Sequence, residues 1–463
     1  MDGLECSEVN IKEVFDNKDF RIDTDFYTKK PFKNPNLCYE RIGNILDYAQ
    51  YGVSIAMNED GNGYPIYRMN EIHDMLCDIH IDKCAELSPV EFNRFKLQSG
   101  DVLFNRTNSY EWVGRTGVYY QNGDELCTFA SYLVRFIPNK NIVLSEYLAT
   151  YLNTKFGVWD VKRRARQSIN QTNVNPEEVK EIEIPLLSLT FQKILQTLFL
   201  KANDLRIEST YLYSQAEQIM LNELDLADFV PSDEQLSVKN FSESFGTSGR
   251  LDAEYYQTKY DEYYSLITKY QYGSDRLSNV CSQKDKNFKP KDKVSYRYIE
   301  LSNIGASGDV TGYTIETGEN LPSRARRIVQ ANDVIVSSVE GSLQSCALIK
   351  ETDSGSICST GFYILNSKKI NSETLLVLFK SEPIQNLLKK GCSGTILTAI
   401  SKDEFASLQI PLIDLDIQNT IAEKIQESFK LRSESKALLE KAKKAVEIAI
   451  EQDETAAMHF LDK

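Results

Sequence analysis

Along two stretches of this chain, apolar residues recur at steps of three and four. Leu195, Leu198, Ala202, Leu205, Leu212, Ala216 and Ile219 mark the first, with one seven-residue gap across Ser209 and no Gly or Pro inside it. Ile417, Ile421, Ile425, Leu439, Ala442, Val446 and Ala449 mark the second, with Ser428, Arg432 and Ser435 in its middle slots. Such a stripe is either the seam of a coiled coil or the inner face of an amphipathic helix on a globular core. A run of about ten turns at roughly 3.6 residues each favours the seam. Each helix is then roughly 50 Å long, at about 1.5 Å per residue. Pro231-Ser232-Asp233 ends the first of them.

The intervening segments carry a different pattern. Val102-Leu103-Phe104, Gly117-Val118-Tyr119-Tyr120 and Tyr132-Leu133-Val134-Arg135-Phe136 are β-branched and aromatic runs bounded by turn residues, so they predict short strands. Gly61-Asn62-Gly63 and Asn122-Gly123-Asp124 predict turns, and Leu144 to Phe156 has helical spacing. This mixture is α+β and lacks the regular alternation of a parallel sheet. Residues 231–250 have the composition of a linker, and the mixed pattern resumes over 250–407.

The resumption is a repeat. Arg21-Ile22-Asp23-Thr24-Asp25-Phe26-Tyr27 is echoed by Arg250-Leu251-Asp252-Ala253-Glu254-Tyr255-Tyr256, and Gly100-Asp101-Val102-Leu103 by Asn332-Asp333-Val334-Ile335. Ile182-Glu183-Ile184-Pro185-Leu186 with Gln192 is echoed by Leu408-Gln409-Ile410-Pro411-Leu412 with Gln418. The offsets are 229, 232 and 226 residues. A repeat this long means two similar domains and not a solenoid. The predicted organisation is a first domain over 1–188, a long helix over 189–230, a linker and second domain over 231–411, and a second long helix over 412–463. If a pseudo-twofold relates the domains, the two helices run antiparallel.

Composition narrows the function. An apolar fraction of 41% and a charged fraction of 26% are those of a soluble globular protein. No apolar run approaches a membrane span, the N-terminus lacks the pattern of a signal peptide, and nine scattered cysteines without a CxxC pair suit a reducing cytoplasm. The net charge is −14, with 24 basic and 34 acidic side chains over 1–230 and 29 and 33 over 231–463. Any attraction for nucleic acid must therefore be local, or be supplied in part by other subunits.

No catalytic constellation is present. A dinucleotide fingerprint, a phosphate loop and the Asn/Asp-Pro-Pro-aromatic box of amino-methyltransferases are all missing. Glu178-Val179-Lys180 has no upstream Asp to complete a nuclease metal site, and is read as a solvated helix face. His73, Cys77, His80 and Cys84 would spread over about 16 Å of helix, too far for one tetrahedral ion. No catalytic residue, metal or cofactor is therefore assigned.

What remains is cationic and amide side chains in loops, the types that meet phosphates and base edges. In the first domain they are Arg106, Asn108, Arg115, Arg163, Arg164, Arg166, Gln167 and Asn170; in the second, Lys284, Lys286, Arg324, Arg326, Arg327 and Gln344.

The repeated motifs resemble the specificity (S) subunit of type I restriction–modification systems, from about Arg21 to about Glu451. The most specific element is the boundary pattern I-x-[IV]-P-L-P-x-x-x-x-Q, carried here by Pro185 and Gln192 and by Pro411 and Gln418. Leu187 and Ile413 stand where the family has its second proline. The resemblance implies two target recognition domains, each reading half of a split, asymmetric double-stranded DNA site. It implies an antiparallel coiled-coil spacer and a non-catalytic, cytoplasmic subunit. Two methyltransferase subunits, carrying S-adenosylmethionine and modifying adenine N6, would dock on the outward helix faces and around Pro185, Gln192, Pro411 and Gln418. Restriction subunits would join them in defence against phage. Two other readings stay open: a protein-interaction scaffold, and the specificity part of a fused restriction–methylation enzyme.

Overall fold

The computed structural model describes residues 8–17, 20–169, 171–232, 234, 236–394 and 398–462. The chain divides into two compact units, Met1–Ile207 with Arg432–Lys463, and Glu208–Leu431. Each unit holds one α+β body and half of each long helix, Leu189–Glu223 and Leu415–Glu451.

In the first unit a six-stranded sheet has the order Leu46–Tyr51, Leu133–Pro138, Val102–Asn105, Thr116–Val118, Leu76–Cys77, Ile72–His73. In the second a four-stranded sheet has the order Cys281–Lys284, Phe362–Ser367, Val334–Ser337, Cys346–Leu348. The central strands are apolar on both faces, Val102 to Phe104 and Val334 to Val336 being wholly buried, because helices cover one face and loops or a second sheet the other. The helices that follow are Ser145–Asn153 and Lys155–Arg164 in one unit, and Ser372–Lys380 and Glu382–Gly391 in the other. The second unit adds a sheet ordered Thr314–Thr317, Ser295–Ile299, Ile357–Ser359, Ala325–Ile328.

The repeated motifs are the frame of each unit. Gly100 and Asn332 occupy the same turn and both have positive φ, +95° and +67°. Only Gly enters that region freely, and Asn is among the side chains that tolerate it, so the exchange of Gly for Asn between the copies is conservative in backbone terms. Behind each lies a buried aspartate that accepts a backbone N–H three residues upstream, Gln98 to Asp101 and Gln330 to Asp333, each at 2.9 Å. The neutralising cation differs: Arg135 reaches Asp101 from the neighbouring strand, while Lys284 reaches Asp333 from the edge strand.

The Arg-x-Asp opening clamps a helix end. The Arg21 guanidinium donates to Asp23 and to the Arg164 carbonyl at 3.0 Å, and Arg250 donates to Asp252 and to the Cys392 carbonyl at 3.0 Å. Cations at a helix C-terminus satisfy its orphan carbonyls. Tyr27 and Tyr256 each donate to the carbonyl of their arginine. Burial by itself raises the Asp23 carboxyl, but Arg21 outweighs it and holds the group below its ordinary 3.8. Hydrogen bonds from Arg250 likewise lower Asp252. A carboxyl depressed in the folded state stabilises above its unfolded pKa, and that stabilisation is lost as pH falls through the folded value. The stability gap between the chain and Asp23→Asn is therefore expected to hold steady above about pH 5 and to close below about pH 4, as read by thermal melts.

The boundary strand Glu183–Pro185 pairs antiparallel with Tyr39–Arg41, and Gln409–Pro411 with Ser274–Arg276. Each proline closes its strand, where the missing N–H costs little. In each unit the two helix halves run antiparallel: in one, Ser188 just before the first helix meets Glu454 just past the second and Ala202 meets Ser435; in the other, Ser209 meets Ser428 and Gln215 meets Lys424. The gap at Ser209 is part of the seam. Its hydroxyl donates to the Ser428 carbonyl and the Ser428 hydroxyl to the Ser209 carbonyl, both at 2.8 Å. Small polar residues there bring the backbones close. Among the described residues no helix is long and apolar enough to cross a membrane.

Candidate DNA-recognition surfaces

In the first unit, a small sheet ordered Arg166–Gln167, Thr172–Asn173, Thr107–Asn108 gathers three of the sequence candidates: Asn108, Arg166 and Gln167. The Arg166 side chain is half exposed, with its guanidinium 3.4 Å from the Glu178 carboxylate. Asn170 lies outside the described residues. Arg115 lies 3.4 Å over the Trp112 ring, and burial lowers its pKa to about 10. Arg106 is half-buried, 5.1 Å over the Tyr51 ring and donating to the Ser131 carbonyl.

Two cations just upstream, in the run Lys162-Arg163-Arg164-Ala165-Arg166, are corrections. Arg163 and Arg164 sit on the last turn of their helix, with side chains only 11% and 7% exposed. Both donate to Asp160 one turn back, and both lie over the Phe26 ring. A run of charges on a helix spreads around it, and the inward members are covered by the N-terminal segment, so these two hold the fold. Glu178 is likewise no solvated face: it is buried and accepts from Arg21. Lys162, unassigned from sequence, is built into the loop before it. Its ammonium donates to the carbonyls of Tyr110, Glu111 and Val113, and burial lowers it to about 8.

In the second unit the Phe288 N–H donates to the Arg326 carbonyl at 2.6 Å. That bond lays the lysine-rich loop after Cys281–Lys284 beside the strand Ala325–Ile328, so two clusters distant in sequence form one basic edge. Lys286 and Arg324 are exposed there and Arg326 half-buried. Arg327 donates to the Phe362 carbonyl. Lys284 is a correction, because its ammonium is taken by buried Asp333 at 2.7 Å. Gln344 is exposed but borders a cleft of about 600 Å³ lined by Glu217, Glu340, Glu382, Lys380 and Lys389. Three carboxylates against two ammoniums do not attract a phosphate, so Gln344 belongs to a different surface.

The boundary residues are also corrected. Gln192 is 0% and Gln418 4% exposed, and Pro185 and Pro411 are buried. Gln192 accepts from the Leu144 N–H and donates to the Leu187 and Ile142 carbonyls. Gln418 accepts from the Asn371 N–H and donates to the Ile413 and Lys369 carbonyls. Each glutamine ties the start of a long helix to the loop that leads into its domain's helix pair. Neither presents a side chain to a partner. Among the described residues no three metal-ligating side chains converge; His73 instead meets Asp78 at 2.9 Å.

Each of the two α+β units is thus clamped by the same glutamine to an antiparallel helix pair and carries its own polar and basic edge. The sequence profile of the type I restriction modification DNA specificity domain matches residues 39–210 and again 274–443. A protein assigned as the MjaX type I restriction enzyme specificity subunit of Methanocaldococcus jannaschii is 23% identical over 440 residues, covering 91% of this chain and 96% of its own. The EcoKI specificity subunit of Escherichia coli is 28% identical over 138 residues, 30% of each chain. The type I S subunit structure from M. genitalium aligns over 90% of this chain and 97% of its own, at 12% identity and a TM-score of 0.38. The chain belongs to the specificity subunit family of type I restriction–modification systems, whose members recognise DNA and are not enzymes.

Proposed function

We propose that this subunit reads a bipartite, asymmetric DNA site with two target recognition domains, 1–188 and 231–411, held apart by a spacer built from the helices 189–230 and 412–463. The observation that carries this reading is the repeat of the glutamine clamp, with its three hydrogen bonds, on two units whose exposed loops differ. An identical frame with unlike edges suits two unlike half-sites at one fixed separation. The edges offered to DNA are Asn108, Arg115, Arg166 and Gln167 in the first unit, and Lys286, Arg324 and Arg326 in the second. Two adenine-N6 methyltransferase subunits, which carry the S-adenosylmethionine, dock on the outward helix faces, and restriction subunits join for cleavage in the cytoplasm. The net charge of −14 supports a division of labour in which those partners supply much of the phosphate attraction.

Co-expression with the methyltransferase subunit in a methylation-free host, followed by mapping of modified adenines, tests this. A split, unequal motif modified on both strands is expected. Co-purification without any methylation would favour the scaffold reading. In the assembled complex, Arg166→Ala is expected to weaken binding to all sequences alike and to reduce the slope of log affinity against log salt by about one. An unchanged slope would place Arg166 away from the phosphates.

A further inference from the structure

The small sheet of the first unit ends in two loops. The register Thr172 to Asn108 and Asn173 to Thr107 sends the turn that opens at Ser168 and the loop 109–115 off the same end. The turn is closed by the Ser168 N–H to the Gln171 carbonyl at 2.8 Å. At its tip Ile169 is 99% exposed, more than any other large apolar side chain among the described residues. Tyr110 and Trp112 on the companion loop are 44% and 37% exposed. That loop is held stiff by Lys162 on three of its carbonyls and by Arg115 stacked on Trp112.

Single exposed aliphatic residues are common on protein surfaces, but this one has an unusual setting. It tips the hairpin at the edge of a small three-stranded sheet, and strands as well as helices enter DNA grooves. Its flanks, Gln167, Ser168 and Gln171, are exposed and polar, and Arg166 stands at the hairpin's base. An apolar protein surface would meet a broad apolar patch, whereas one aliphatic tip flanked by amides, with two half-exposed aromatic rings on the companion loop, suits the stacked bases and polar edges of a duplex. Apolar side chains of groove-binding proteins enter between base pairs, unstack them and bend the helix.

We infer that the hairpin around Ile169 enters a groove of DNA bound by the first unit, and that the Ile169 side chain wedges into a base step of that half-site. The inference rests on the DNA-recognition reading above. Once inserted, the wedge makes one half-site sensitive to how easily its base steps unstack, which adds a specificity term at base pairs no polar side chain touches.

The test uses the complex of the full chain with its methyltransferase subunits, and duplexes carrying 2-aminopurine at successive positions of the mapped site, away from the modified adenines. The parent complex is expected to brighten the probe at one or two adjacent positions in one half-site only. Ile169→Ser is expected to abolish that brightening and weaken specific binding about tenfold, with the salt slope unchanged. Ile169→Leu is expected to keep both. Melting of the chain should not move, since the side chain packs against nothing. Specific binding without any such brightening, or brightening that survives Ile169→Ser, would overturn the wedge and leave the recognition reading standing. Failure of the parent complex to bind any specific duplex would overturn both.

Discussion

Replacing Gln192 with alanine is expected to destabilise the first unit by about 3–5 kcal/mol, at the top of the range for single substitutions. The side chain is fully buried and uses both ends, accepting one backbone N–H and donating to two carbonyls. Truncation leaves all three backbone groups without that partner, each at a cost of about 1–3 kcal/mol if water cannot reach it. Partial relaxation keeps the total below the sum. Gln192→Leu, which preserves volume, should recover little, because the loss is in hydrogen bonding and not in packing. Gln418→Ala should act equally on the second unit, where the pattern is the same. Urea unfolding combined with amide exchange at Leu144 and Asn371 assigns each loss to its unit. A change under about 1 kcal/mol would show that the clamp contributes little to stability.

Inserting one heptad into each long helix, after Ile207 and after Leu431, is expected to lengthen the gap between the two half-sites by about three base pairs. Seven residues add roughly 10 Å of helix at about 1.5 Å each, and duplex DNA rises about 3.4 Å per base pair. A full heptad keeps the seam in phase, so Ala202, Ser209, Ser428 and Ser435 retain their facing partners. The half-site sequences should not change, because no recognition loop is touched. Methylation mapping of the variant reads gap and half-sites together. A gap that stayed the same would refute the spacer, since helix length would then have no bearing on separation. Complete loss of methylation accompanied by normal melting would indicate that the partner subunits, and not the helices, fix the spacing.

Much of the frame was legible because it is local and periodic. The two helices follow from apolar spacing, and the buried strands from runs such as Val102 to Phe104. The Arg-x-Asp opening, the Asp101 and Asp333 positions and the proline–glutamine boundary were found by repetition alone. For the boundary glutamines the fold changes the picture. A glutamine beside a helix start looks like a surface feature in sequence, and only the fold shows Gln192 and Gln418 enclosed by backbone groups. The same holds for the run from Lys162 to Arg166. Five residues cover more than a full helical turn, so Arg163 and Arg164 turn inward to Asp160 while Arg166, past the helix end, stays half exposed.

By itself the sequence determined the two-fold organisation, the α+β class, the long helices and the family, because each of these is written in spacing and repetition. The tertiary structure decided which charges are available. It sent Lys284 to Asp333 and Lys162 to loop carbonyls, tied the lysine-rich loop to Arg326 through Phe288, and placed Ile169 and Trp112 at one end of one small sheet. Those outcomes depend on which elements come to lie side by side. Burial and pairing are set by neighbours distant along the chain, and no local pattern encodes them.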